Sequence, residues 1–223
     1  MKKLFQVTLW FIFLVSLIAC GSISELKNLK SEHEKGHYAT VVKIDIKCKA
    51  SDNACNQLHL IKGDACYRLG KQEIEPKKHF DCAIEHLEKG IKLTSEWKLG
   101  DLDLKQDQSY ENLCESLRER QDMSKGSEAD KFTRRLLETS ENFEKALPGN
   151  LAAIYFNNGA KFTLLRGAIL SAPDDAQVCA AVNSILSSLK AVSIEAASSK
   201  YANNFSILIG DVEAVKPALN NCQ

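Results

Sequence analysis

Eight cysteines, five histidines and a scatter of acidic side chains hold the reactive chemistry available to this 223-residue chain. The cysteines are Cys20, Cys48, Cys55, Cys66, Cys82, Cys114, Cys179 and Cys222. No two of them stand as Cys-x-x-Cys, so a thioredoxin-type redox motif is absent. His79, Cys82 and His86 recur three and four residues apart, which is helical spacing. That spacing suits metal ligands and equally suits an ordinary, partly exposed helix face. The second reading is taken, and no metal or cofactor is assigned. Asp101, Asp103 and Asp107 cluster as in a calcium loop but lack its central glycine and closing glutamate, so a solvated loop is expected. There is no G-x-S-x-G elbow and no glycine loop to cradle a phosphate. No catalytic residues are assigned, and a non-enzymatic protein is expected.

One cysteine has a setting of its own. Lys2 and Lys3 open the chain, and Leu4 to Ala19 is apolar apart from Gln6, Thr8 and Ser16. The run is shorter than the roughly 20 apolar residues a membrane span needs. A basic start, an apolar centre and a small residue at the exit describe a secretory signal. The exit, Leu17-Ile18-Ala19-Cys20, resembles the bacterial lipobox. The resemblance implies cleavage before Cys20, whose sulfur carries diacylglycerol as a thioether, with a further acyl chain such as palmitate. Several acyl chains anchor firmly where a single chain holds weakly. Gly21 follows in place of the aspartate that favours inner-membrane retention, which by analogy implies the periplasmic face of the outer membrane. The expected organisation is a signal peptide over 1–19, a lipidated N-terminus and first helix over 20–35, and a helical domain over 36–223.

With Cys20 assigned to lipid, seven cysteines remain, and at least one of them lacks a partner in a monomer. Export to an oxidising compartment permits disulfides. Cys48 and Cys55 are expected late in one helix and early in the next, where a tight turn brings their Cα atoms within the required ~4.4–6.8 Å. Acidic and basic residues balance at 29 each. Loss of Lys2 and Lys3 leaves a slight acidic excess. No basic patch points to nucleic acid.

The elements that position these residues read as helices nearly throughout, since proline and glycine are sparse, at four and eleven. Only 41–48, VVKIDIKC, alternates as a strand does. Residues 101–110 and 122–130 read as loops. Pro173 is expected to stop a helix over 151–170, with Asp174 capping a long one over 175–199. A last helix over 202–219 carries Phe205, Ile207, Leu208, Ile209, Val212 and Val215, a spread that suggests a buried capping helix.

The stretch over 36–95 resembles a tetratricopeptide repeat. Gly63, Cys66, Gly70, Ala83, Leu87 and Gly90 occupy the small and bulky places of that pattern, with Gly36, Val41 and Cys48 in a preceding unit. Gly63 is expected where two helices approach closely near Ala83, and Gly70 is expected to end its helix. The chain departs from the family at Cys66, where an aromatic is usual, and in a longer turn after Gly70. The resemblance implies an all-α fold in which antiparallel helix pairs form a short, right-handed, tetratricopeptide-like solenoid. It also implies a groove lined by Gln57, Leu60, Asp64, Tyr67 and Arg68. Tyr67 and Arg68 are residue types that anchor interfaces. They suit equally a ring packed on the next repeat and a solvated cation.

The expected function is a membrane-anchored, periplasmic adaptor that binds an envelope protein partner in its helical groove. The alternatives are a ligand-binding accessory lipoprotein for solute transport, and an immunity or inhibitor lipoprotein.

Overall fold

The computed structural model of the chain describes residues 24–219 and 222, apart from 53, 96 and 98–103. The expected signal peptide, Cys20, Asp101 and Asp103 lie outside the described residues. Among the described residues every regular element is a helix. They are α1 (24–34), α2 (Tyr38–Lys43), α3 (Cys55–Lys71), α4 (Pro76–Leu93), α5 (Gln106–Asp122), α6 (Ser127–Ala146), α7 (Leu151–Ser171), α8 (Ala176–Ala191), α9 (Ser193–Ala197) and α10 (Ala202–Val215). A 3₁₀ turn, Lys216–Ala218, follows α10. No described helix is long and apolar enough to cross a membrane. The chain divides into two compact units, Met1–Ser116 and Leu117–Gln223, the division falling within α5.

In the first unit the expected strand over 41–48 does not form. Val41 and Val42 belong to α2, Ile44 is extended, and the chain from Asp45 to Lys49 has no regular structure, with exposure alternating from residue to residue. The alternation has another cause. Val42, Ile44, Ile46 and Cys48 pack on a buried cluster of Leu29, Val41, Leu58, Ile61 and Ala65. A strap laid over helices in this way needs every second side chain apolar, as a strand does.

The turn from α3 to α4 is short, at residues 72–75. Glu73 and Glu75 take positive φ of 60° and 42°, and Pro76 opens α4. Proline suits that first position because its missing N–H has no intrahelical partner there. Gly70 does not end α3, which runs on to Lys71. Its role is steric: a Cβ at Gly70 would lie 2.8 Å from the Phe80 ring.

In the second unit α6 and α7 form a helical hairpin. Gly149 turns at φ 81°, and the Asn150 side chain caps α7 by accepting from the N–H groups of Ala152 and Ala153. α7 ends at Ser171, and Pro173 comes directly after its C-cap, Ala172. The expected helix over 175–199 breaks at Val192 into α8 and α9. Asp175, rather than Asp174, caps α8 through the N–H of Gln177. The expected loops are shorter than the sequence suggests, since α5 begins at Gln106 and α6 at Ser127. Glu128 and Asp130 favour the α6 start, where the helix dipole is positive. Phe143, Phe156, Val182, Leu189, Phe205 and Val212 are buried to 2% exposure or less.

Candidate functional site

The α3–α4 hairpin is the scaffold of the candidate site. One antiparallel register runs along it. At one end Asn56 donates to the Thr94 hydroxyl at 3.1 Å. A Cβ on Gly90 would meet Leu60 Cγ at 2.7 Å, and one on Gly63 would meet Leu87 Cγ at the same distance. Each glycine thus receives a leucine of the opposite helix. Leu60, Leu87, Phe80 and Ala83 are buried to 1% or less. Each large apolar side chain so buried contributes about 1.5–3 kcal/mol. A disulfide between Cys66 and Cys82, with Cα atoms 5.8 Å apart, staples the middle.

On the flank of α3, next to Gly63, Asp64 gathers three helices. Its carboxylate accepts from His33 of α1 at 2.6 Å, from Arg68 Nε one turn along α3 at 2.6 Å, and from Asn112 of α5 at 2.7 Å. Asp64 is 1% exposed. Burial alone would raise its pKa, but the hydrogen bonds from His33 and Arg68 outweigh that and hold it below the ordinary aspartate value. The Arg68 side chain is 40% exposed, and its guanidinium lies 5.3 Å from the centre of the Tyr38 ring. His33 meets the same ring edge-on at 5.4 Å.

These contacts separate the sequence-derived site residues. Asp64 and Arg68 are joined, with Asp64 inside and Arg68 reaching the surface. Tyr67 turns toward α4, its ring 6.5 Å from that of Phe80. Gln57 is half-buried in the first turns of α3, about 15 Å along the axis from Tyr67. Sequence reasoning missed His33, Tyr38 and Asn112. Separations of 31 and 48 residues from Asp64 to His33 and Asn112 leave no local pattern to find.

A second cluster lies nearer the start of α3. Cys48 and Cys55 form a disulfide with Cα atoms 5.5 Å apart. Cys48 is not in a helix but in the strap, while Cys55 opens α3. A ring nitrogen of His59 lies within 4.8 Å of both sulfurs. The Nδ1 atoms of His59 and His86 are 2.7 Å apart, so one ring donates and the other accepts. Burial, then neighbouring charges that include Lys62 and Lys89, brings both histidines down to about 4. His59 Nε2 is buried without a hydrogen-bond partner. His79, Cys82 and His86 do not converge, since Cys82 is bonded to Cys66 and His86 pairs with His59.

The second unit holds a pocket of about 190 Å³ lined by Arg118, Asp122, Tyr155, Phe156, Arg166 and Asp211 among others. Arg118 donates to the Tyr155 hydroxyl at 3.1 Å. Burial pushes the Asp122 carboxyl up, against the pull of Arg118. Cys179 and Cys222 form a third disulfide, and Cys114 is a buried free thiol.

Comparison with protein-family models, with curated proteins and with solved structures returns no match for this chain.

Proposed function

We propose that the chain is a lipoprotein, tethered through Cys20 at the periplasmic face of a bacterial outer membrane, that binds an envelope protein partner and catalyses no reaction. The reading of α3–α4 as a repeat-like pair, stacking with others in a tetratricopeptide-like solenoid, belongs to the same proposal. The observation that carries it is the setting of Arg68. Its Nε is held by a buried carboxylate and its guanidinium lies over Tyr38, yet the side chain is 40% exposed. A cation fixed in this way loses little side-chain entropy when a partner arrives. Tyr67, the next residue, is half-buried beside it. Asp64 and Gln57 then serve the surface in different ways, Asp64 as the internal anchor of Arg68 and Gln57 at the far end of α3.

The pocket of the second unit favours the alternative, a ligand-binding accessory lipoprotein. Its volume of about 190 Å³ falls below the roughly 300 Å³ at which drug-sized ligand sites begin. The protein-partner reading leads because Arg68 is already fixed at the surface.

The test is site-specific photocrosslinking from position 67 in cells, with the adduct identified by mass spectrometry. A discrete envelope protein is expected. Tyr67→Ala with Arg68→Ala should weaken binding of that protein about 30-fold, the loss of ~2 kcal/mol typical of interface anchors, while the circular-dichroism spectrum stays helical. Equal binding by the double variant refutes the surface assignment. Turnover of a substrate by the purified protein refutes the adaptor reading.

A further inference from the structure

We propose that Cys48, Cys55 and His59 form a thiol-gated site for a thiophilic divalent cation of the zinc class, closed while the two sulfurs are bonded and opened when they are reduced. Soft thiolates with an imidazole select such a cation. Cys55 and His59 stand four apart on α3, one above the other on the same face. Cys48 reaches them from the strap, and one ligand atom from each residue lies within 4.8 Å of the other two. While the sulfurs are bonded the three atoms cannot share an ion, and reduction lets the two sulfurs separate so that each can lie about 2.0–2.3 Å from a common zinc ion.

His59 supplies the second, independent sign. It is 3% exposed, and its Nε2 has no hydrogen-bond partner. An unsatisfied buried polar atom is costly and calls for a partner. Its other nitrogen, Nδ1, is committed to His86 at 2.7 Å. When His59 Nδ1–H donates to His86, the lone pair stands on His59 Nε2. Metal-binding histidines are oriented by a contact of this kind. In this proposal His86 is a positioning residue, and the ligands are the two sulfurs and His59, through the nitrogen that His86 leaves free.

Contacts other than the disulfide also hold the strap. Lys62 Nζ donates to the Ile44 carbonyl at 2.5 Å, and the Lys49 N–H donates to Asp52 Oδ2 at 2.8 Å. The Cys55 N–H donates to the Asp52 carbonyl at 3.0 Å. Ile44, Ile46 and Cys48 also pack on the core cluster.

The opening step is thiol–disulfide exchange. A small dithiol donor gives two electrons and two protons to the Cys48–Cys55 bond and leaves as its own cyclic disulfide. The protein then holds two thiols. Cation binding releases both thiol protons, and two thiolates balance the two positive charges.

The experiment uses the full chain in detergent, oxidised or reduced with a phosphine, and titrated with zinc or cobalt(II). Reduced protein should take up one equivalent of zinc, and cobalt should show thiolate charge-transfer bands with tetrahedral d–d absorption. Oxidised protein should show neither. Cys48→Ser, and separately His59→Gln, should abolish the bands, while His86→Ala should weaken zinc binding about 10–100-fold. Cys66→Ser with Cys82→Ser should leave them intact. The proposal is overturned if reduced wild type binds no more zinc than Cys48→Ser. It is also overturned if the bands survive His59→Gln, or if reduction removes the helical circular dichroism and zinc does not restore it.

Discussion

Gly63 and Leu87 face each other across the α3–α4 hairpin so closely that a Cβ on Gly63 would lie 2.7 Å from Leu87 Cγ and 2.9 Å from the Leu87 backbone nitrogen. The side chain could rotate away, but the backbone cannot. Gly63→Ala should therefore destabilise the protein by about 1–3 kcal/mol, read as a lower urea midpoint. Gly210 is the control, since nothing lies within 4 Å of a Cβ there. In a helix, Gly210→Ala should stabilise by up to about 1 kcal/mol. If both changes act alike, close packing at Gly63 is not what glycine serves there.

Asp64 gives a pH prediction. Its folded pKa lies below the unfolded one, so its contribution is fully present above the ordinary aspartate value and is lost as pH falls through the depressed folded value. Thermal melts below about pH 4 should show this loss. Asp64→Asn should lower stability at neutral pH by about 1.5–3 kcal/mol, the worth of a hydrogen bond to a charged group. It should also flatten the acid limb of the melting curve. An unchanged limb would mean that other carboxylates set it.

The disulfides should rank by loop length. Cys66–Cys82 spans 16 residues and Cys179–Cys222 spans 43. Replacing the first pair by serine should cost about 3 kcal/mol, and replacing the second about 1 kcal/mol more, by chain entropy. Denaturant curves on the two double variants measure this order. A reversed order would mean that chain entropy is not the main term.

Cys114 should resist thiol reagents in the native state. It is fully buried, and burial, reinforced by Glu115 and Glu111, holds its pKa well above the usual thiol value. Alkylation should track unfolding, so labelling with iodoacetamide should rise with urea along the unfolding curve. Rapid labelling without denaturant would contradict the buried placement.

Cys20→Ala should abolish labelling of the protein by a clickable palmitate analogue in bacteria, because the thioether that receives the lipid cannot form. Unchanged labelling would remove the lipid tether from the proposed function.

The sequence by itself determined the features that local spacing carries. Apolar residues at helical intervals, with few glycines and prolines to interrupt them, make the described chain helical. Gly63 is legible as a point of close approach because a glycine amid good helix formers needs a packing reason. The alternation over 41–48 is legible as one buried and one exposed face, but not as strand or strap, since both present every second side chain to a core. Only the tertiary structure decided the partners. Leu87, rather than Ala83, fills the space at Gly63, because the register of two antiparallel helices depends on the four-residue turn between them. Gly70 reads locally as a helix stop, and it is the ring of Phe80 that requires it. Asp64 looks like a surface carboxylate until His33 and Asn112 arrive from helices remote in sequence. Seven cysteines permit many pairings, and distance in the folded chain selects among them while leaving Cys114 enclosed in the core. A hydrogen bond or a disulfide between distant residues has no signature in either local stretch, because neither end is strained or patterned until the fold brings the two together.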